Sequence, residues 1–330
     1  MTLRPALGAC ICALAACGGG GTNPPAGTEL DVTIPSGSSV RSIARRLDSA
    51  GLIDHPRVFS LYARVRGAES DLKAGRYRFV AGMGYRELID ILRSGAVVTF
   101  PLTIPEGLTL REVASLVAVF TGDSASAVVG LLGDSALAVT LGVPGPTLEG
   151  YLFPETYRFS EDTPTVDIIE TMVRSYQAFW GPRERALADA LGLDEREVVT
   201  LASIVEEEAR LPEERSVIAG VYLNRLEIGM LLQADPTVQY ALGAPRERLL
   251  FRDIDSVAEH PYNTYTQPGL PPGPIASPGE ASLRAALEPA THSYLYFVAR
   301  DDGSHQFSRT LQEHNNARNQ IRRDRESNRE

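Results

Sequence analysis

The sequence predicts an α+β protein: a small α/β subdomain over residues 30–98, followed by a larger mixed α/β domain over residues 99–320. Three observations predict it. A strand–turn–helix pattern occurs twice, as Val32-Thr33-Ile34-Pro35-Ser36-Gly37 leading into Val40 to Ala44, and as Leu102-Thr103-Ile104-Pro105-Glu106-Gly107 leading into Leu110 to Ala114. Between and beyond these copies, apolar residues recur at helical spacing over residues 163–179, 194–210 and 213–227. Strand alternation returns late, at residues 293–299, with a turn at Asp301-Asp302-Gly303-Ser304 and a partner strand at His305-Gln306-Phe307.

The elements follow in order. In the first copy the Pro/Gly turn precedes a helix over residues 40–50, which Gly51 ends. A second helix covers residues 56–66, a strand covers Tyr77-Arg78-Phe79, and a third helix over residues 85–94 is closed by Gly95. The stretch Pro261 to Pro278 is too rich in Pro, Gly, Tyr and Thr for a regular helix and must be a long loop, ordered or not. Thr310 with Glu313 forms a capping box that opens the last helix. The polar tail, residues 321–330, is expected to fray.

Ahead of the fold, residues 1–16 carry one cation, Arg4, and a short apolar run, which reads as a secretory signal. It ends Leu14-Ala15-Ala16-Cys17, like a bacterial lipobox, and Gly18 to Gly21 opens a flexible tether over residues 17–29. A plain signal peptide with an incidental cysteine is the other reading. All three cysteines, Cys10, Cys12 and Cys17, lie in this segment, so cleavage before Cys17 would leave one cysteine, the lipidated one, and no disulfide. The expectation is an exported protein held on a membrane through Cys17 and facing the periplasm or cell wall.

A formal net charge of −10 argues against a nucleic-acid partner, which requires a basic footprint. No P-loop, no G-x-G-x-x-G after a strand and no G-x-S-x-G elbow occurs. The five histidines show no metal-ligand spacing, so no metal and no cofactor is expected.

One helix can carry chemistry. Asp194 and Glu197 form a capping box, Val198, Leu201 and Val205 define an apolar stripe, and Glu206-Glu207-Glu208 follow. Glu208 stands over Val205, Ile204 and Leu201 and so continues the stripe. Desolvation there, with the partial negative charge of the helix C-terminus, raises a carboxyl pKa, which is what a general acid requires. The same pattern also describes three glutamates on a solvated face. Loops supply polar and aromatic groups suited to a sugar: Glu149 and Tyr151, Gln233 and Asp235, and Asn263 and Tyr265, with Glu206 beside the acid. Taken singly, each reads first as a turn residue or a core aromatic with a satisfied hydroxyl.

These residues resemble the YceG-like endolytic murein transglycosylases. The resemblance rests on Leu201-Ala202-Ser203-Ile204-Val205-Glu206-Glu207-Glu208, Leu232-Gln233-Ala234-Asp235-Pro236-Thr237-Val238, Tyr262-Asn263-Thr264-Tyr265, Gly269-Leu270-Pro271-Pro272-Gly273-Pro274-Ile275-Ala276, Glu149-Gly150-Tyr151-Leu152-Phe153-Pro154 and Tyr294-Leu295-Tyr296-Phe297-Val298. It implies that residues 30–98 are a LysM-like subdomain and residues 99–320 the transglycosylase domain. It implies that Glu208 is the acid/base, and that the substrate is peptidoglycan, cut within nascent glycan strands beside the synthases. Family members commonly carry an N-terminal transmembrane helix where this chain has a lipobox, which leaves inner and outer membrane both open. The alternative function is a non-catalytic, peptidoglycan-binding lipoprotein.

Overall fold

A computed structural model describes residues 24–243, 246 and 249–327; the signal peptide and Cys17 lie outside these residues. The chain falls into two compact units divided between Val98 and Thr99.

The first unit contains β1 (Glu29–Ile34), α1 (Val40–Ser49), α2 (Pro56–Val65), β2 (Gly75–Val80) and α3 (Tyr85–Ser94). β1 and β2 pair antiparallel, Glu29 opposite Val80 and Ile34 opposite Gly75. Ile43, Leu47, Phe59, Tyr77, Phe79 and Leu88 fill its core. Part of the expected tether is tied down: Gly27 N donates to Ala81 O and Ala81 N to Thr28 O.

The second unit begins with β3 (Phe100–Thr103), α4 (Leu110–Thr121), α5 (Ala125–Leu132), α6 (Ser135–Thr140) and β4 (Thr156–Phe159), with β3 and β4 antiparallel. Then come α7 (Thr165–Phe179), α8 (Pro182–Leu191), α9 (Glu195–Glu208), a short 3-10 turn, α10 (Arg215–Glu227), α11 (Asp235–Leu242), α12 (Phe251–Ser256) and α13 (Glu280–Leu287). An antiparallel ribbon, β5 (Tyr296–Ala299) with β6 (His305–Ser308), and α14 (Leu311–Ser327) complete it. Helices thus dominate, with small separate two-stranded sheets, an α+β arrangement. Among the described residues no helix is long and apolar enough to cross a membrane.

The repeated sequence pattern gives the same local geometry in both units. Gly37 (φ 72°) and Gly107 (φ 77°) take the left-handed conformation that the turn requires. Ser39 and Thr109 then cap the helices by accepting from Ser42 N and Glu112 N.

Two differences from the sequence reading have physical causes. α14 continues to Ser327 instead of giving way at residue 321. It is solvated, but Gln320 bonds Asp324, Arg323 bonds Gln320, and Arg325 pairs with Asp301 at 2.6 Å. α9 is buried on all sides from Val198 to Val205, not along one stripe. Helices α8, α10, α11 and α13 pack around it. Its polar members tolerate this because Thr200 donates to Arg196 O and Ser203 to Thr200 O, while Ser203 Oγ accepts from Ile275 N at 3.1 Å.

The loop bearing Ile275 is ordered, and it approaches Glu149-Gly150-Tyr151 closely. A Cβ on Gly150 would lie 2.3 Å from Pro274 Cβ and 3.2 Å from Val199 Cγ1, and its φ is +83°. Gly150→Ala is therefore expected to destabilise the second unit by about 2 kcal/mol or more, read as a lowered thermal unfolding midpoint.

Candidate active site

Helix α9 emerges from its cover at Glu206-Glu207-Glu208, and the three carboxylates enter three environments. Glu206 is turned into the scaffold. Its Oε1 lies 3.2 Å from Arg215 Nη2 and its Oε2 accepts from Gly279 N at 3.0 Å, capping α13. Arg215 in turn donates to Ser282 Oγ at 3.0 Å. The Glu206 side chain is 7% exposed, so the expectation that it binds substrate gives way to a structural role. Glu207 is on the outer side, against Gly107. Desolvation, then the neighbouring charges of Glu206 and Glu112, pushes its carboxyl up to about 7.

Glu208 is half-buried at the last position of α9. Its Oε1 accepts from Tyr222 Oη at 2.9 Å. Desolvation pushes its carboxyl up to about 7; the Tyr222 bond and Arg225 oppose this, and Asp235 and Glu207 add to it. The helix terminus acts in the same raising direction. Oε2 has no hydrogen-bond or salt-bridge partner among the described residues, and it is not one of their sealed, unpartnered atoms.

The wall around Glu208 comes from three further segments. From α10, Tyr222 is 1% exposed and Arg225 7% exposed. Arg225 donates to Leu295 O at 2.7 Å and to Leu232 O, and lies 5.4 Å over the Tyr296 ring, joining the β5 strand to the loop before α11. Tyr265 donates to Asp235 Oδ1 at 2.5 Å. Gln233 is exposed and holds φ 47°, the single positive φ among described non-glycine residues. Its strained backbone is fastened by Gln233 N to Thr264 O and Ala234 N to Thr264 Oγ1, both 3.0 Å.

The remaining sequence candidates lie within the scaffold. Glu149, 7% exposed, accepts from Leu110 N at 2.8 Å and Tyr240 Oη at 3.2 Å, capping α4. Tyr151 is fully buried, edge-on to Tyr176, and its hydroxyl is sealed without a partner. Asn263 is fully buried and braces its loop through Ile254 O, Val257 O and Tyr265 N. These three were expected at the substrate, but burial closes them to a sugar. Of the loop candidates, Asp235 and Tyr265 lie close enough to act electrostatically on Glu208, and Gln233 is two residues before Asp235 in the chain. Sequence reasoning missed Tyr222 and Arg225, a tyrosine and an arginine about one turn apart that are buried among the apolar residues of α10.

Cavities of 510 Å³, beside Thr200 and Gly269 to Pro272, and 710 Å³, between β6 and α14, do not include Glu208. Among the described residues no cluster of His, Cys, Asp and Glu suits a metal ion.

Two predictions follow from the buried carboxylates. Glu206→Ala leaves the Arg215 charge buried without its partner and is expected to cost about 3 kcal/mol of stability in denaturant unfolding. Desolvation, opposed by the Leu110 and Tyr240 bonds, pushes Glu149 up to about 8. From its ordinary 4.5 up to about 8, the folded chain keeps a proton the unfolded chain has lost. Stability should therefore fall with pH across that window, at up to about 1.4 kcal/mol per pH unit, and level off above it. Glu149→Gln should flatten this dependence.

The model of the YceG-like family matches residues 32–320. An endolytic murein transglycosylase of Bacillus subtilis is 38% identical over 307 residues, covering 88% of this chain and 84% of the relative. One of Streptococcus pneumoniae is 33% identical over 82% of this chain, which spans 54% of that relative's length. The crystal structure of a yceG-like protein from Listeria monocytogenes matches with a TM-score of 0.61 at 33% identity, over 88% of this chain and 99% of that one. The chain belongs to the YceG-like family.

Proposed function

We propose that the chain cleaves the β-1,4 bond between N-acetylmuramic acid and N-acetylglucosamine within peptidoglycan strands, with Glu208 as both acid and base and 1,6-anhydro ends as product. Family membership and relatives named endolytic murein transglycosylase support a murein-cleaving lyase. The observation that carries the chemistry is the half-buried Glu208 carboxyl, which desolvation pushes up to about 7 and of which Tyr222 engages one oxygen.

Protonated Glu208 would donate to the glycosidic oxygen, breaking its bond to the muramoyl C1 and releasing the N-acetylglucosamine hydroxyl. The cationic character at C1 would be eased by the sugar's own 2-acetamido group. The Glu208 carboxylate would then take the proton of the muramoyl C6 hydroxyl, whose oxygen closes on C1. Proton and carboxyl are restored, and no water is consumed. An internal nucleophile lets one carboxylate serve both steps, whereas a paired-carboxylate hydrolase needs a second acid across the bond. The engagement of Glu149 and Glu206 in helix caps favours the first scheme. Gln233, Asp235 and Tyr265 would contact the sugar.

Lipidation at Cys17 would hold the enzyme on a membrane, facing the periplasm or cell wall. There it would meet strands as synthases extend them, and each cut would end a strand's growth. The support is the Leu14-Ala15-Ala16-Cys17 tetrad alone.

The test is Glu208→Gln on purified glycan, read by mass spectrometry. Loss of anhydro-ended fragments, one water lighter than hydrolysed ends, should be on the order of 10²–10⁴-fold. Wild-type cleavage should decline as pH rises through about 7, where Glu208 loses the proton it must donate. Near-normal release by the variant would end the assignment. Reducing ends would make the chain a hydrolase, and intact strands with retained binding would make it a wall-binding lipoprotein.

A further inference from the structure

We infer that Tyr222 is a positioning residue that divides the labour between the two oxygens of Glu208, holding Oε1 so that Oε2 is the oxygen that gives and takes the proton. The inference deepens the proposed function and rests on it for its kinetic readout.

The geometry has three parts. The Tyr222 hydroxyl has one hydrogen bond, to Glu208 Oε1 at 2.9 Å. Among the described residues Glu208 Oε2 has no hydrogen-bond or salt-bridge partner, and it is not one of their sealed, unpartnered atoms. The Tyr222 ring is held edge-on by Phe297 of β5, with centroids 5.8 Å apart and planes at 89°. Phe297 is in turn met edge-on at 5.4 Å by His305, which is paired with Glu214 at 2.7 Å. A hydroxyl carried on so constrained a ring has a fixed aim. It can donate to a carboxylate oxygen, or to the carbonyl oxygen of a carboxylic acid, but in neither state does it offer that oxygen room to carry the transferable proton. In both states the proton therefore resides on Oε2, the oxygen that Tyr222 leaves unengaged. The bond also favours the charged form, so it tempers the rise that burial imposes on Glu208. Without it, the acid would form readily but return slowly to the carboxylate needed for the second proton transfer.

The other groups that face this carboxyl are Arg225 from α10, Asp235 at the start of α11, Glu207 from α9 itself and Tyr265 from the loop after α12. None is altered by a change confined to the Tyr222 hydroxyl.

The experiment uses the full chain with Tyr222→Phe, and a second form in which 3-fluorotyrosine replaces Tyr222. Phenylalanine keeps the ring against Phe297 and removes only the donor. The fluorinated phenol is a stronger donor. Anhydro-end release is measured against pH, and the Glu208 carboxyl carbon is titrated by NMR, its signal assigned by its loss in Glu208→Gln. With Tyr222→Phe, maximal rate should fall on the order of tenfold, and the alkaline decline and the carboxyl midpoint should both move to higher pH. With fluorotyrosine both should move to lower pH. A rate loss without movement of the midpoint would reduce Tyr222 to a packing residue and overturn the inference, as would unchanged rates and midpoints. If Tyr222→Phe does not fold, the fluorotyrosine form decides alone. Should Glu208→Gln stay active, the proposed function fails, while the carboxyl titration still decides whether Tyr222 holds Oε1.

Discussion

The site depends on α9 being covered on every side from Val198 to Val205 and losing that cover over its last turn, where Glu207 is exposed and Glu208 half-buried. A helix surrounded in this way must satisfy its own polar side chains, and Thr200 and Ser203 do so by donating to carbonyls of earlier turns. Such back-bonding is affordable only where packing fixes the helix, and here α8, α10, α11 and α13 do that. The consequence is a rigid rod whose C-terminal turn delivers carboxylates to the protein surface at a defined place. A general acid needs that precision more than it needs a deep pocket, since proton transfer fails when donor and acceptor drift beyond hydrogen-bond reach.

Three adjacent glutamates then show how environment assigns roles to identical groups. Glu206 meets a guanidinium and a backbone amide and becomes part of the frame. Glu207 faces outward beside other acids. Glu208 meets a phenol, and its nearest cation, Arg225, spends its donors on Leu295 and Leu232 carbonyls. A direct salt bridge to Arg225 would have held Glu208 ionised and useless as an acid. By engaging backbone instead, Arg225 braces the wall of the site while leaving the carboxyl free to be protonated near neutral pH.

The fold class and most long elements were legible because they follow local rules. The duplicated Pro-x-Gly turns required left-handed glycines, and the capping residues Ser39, Thr109 and Asp194 stood where their helices begin. The alignment of Glu208 with Leu201, Ile204 and Val205 was also readable, because helical spacing needs no tertiary knowledge. The short helices α5, α6, α11, α12 and α13 escaped notice, since six to eight residues show too little of the 3.6-residue period, and so did the ten-residue α8. The loop candidates separated for a different reason. Whether Glu149 reaches a sugar depends on Leu110 and Tyr240, which are 39 and 91 residues away along the chain. Tyr151 and Asn263 likewise have their surroundings set by distant segments, so no local pattern distinguishes a loop brace from a ligand contact.

The distribution of the remaining carboxylates bears on the type of reaction. A hydrolase of the two-carboxylate kind needs a second acidic group that is both near and disengaged. Glu149 and Glu206 are each held by two donors and capped into helices, which removes them as nucleophiles. Asp235 is exposed, but Tyr265 already donates to it at 2.5 Å, and its charge acts on Glu208 chiefly by raising its pKa. An acid whose pKa is raised by desolvation and, to a lesser degree, by a neighbouring anion is suited to a substrate that supplies its own nucleophile. In the proposed reaction the muramoyl C6 hydroxyl would be that group, and a carboxyl held on one oxygen by Tyr222 would be the one to activate it.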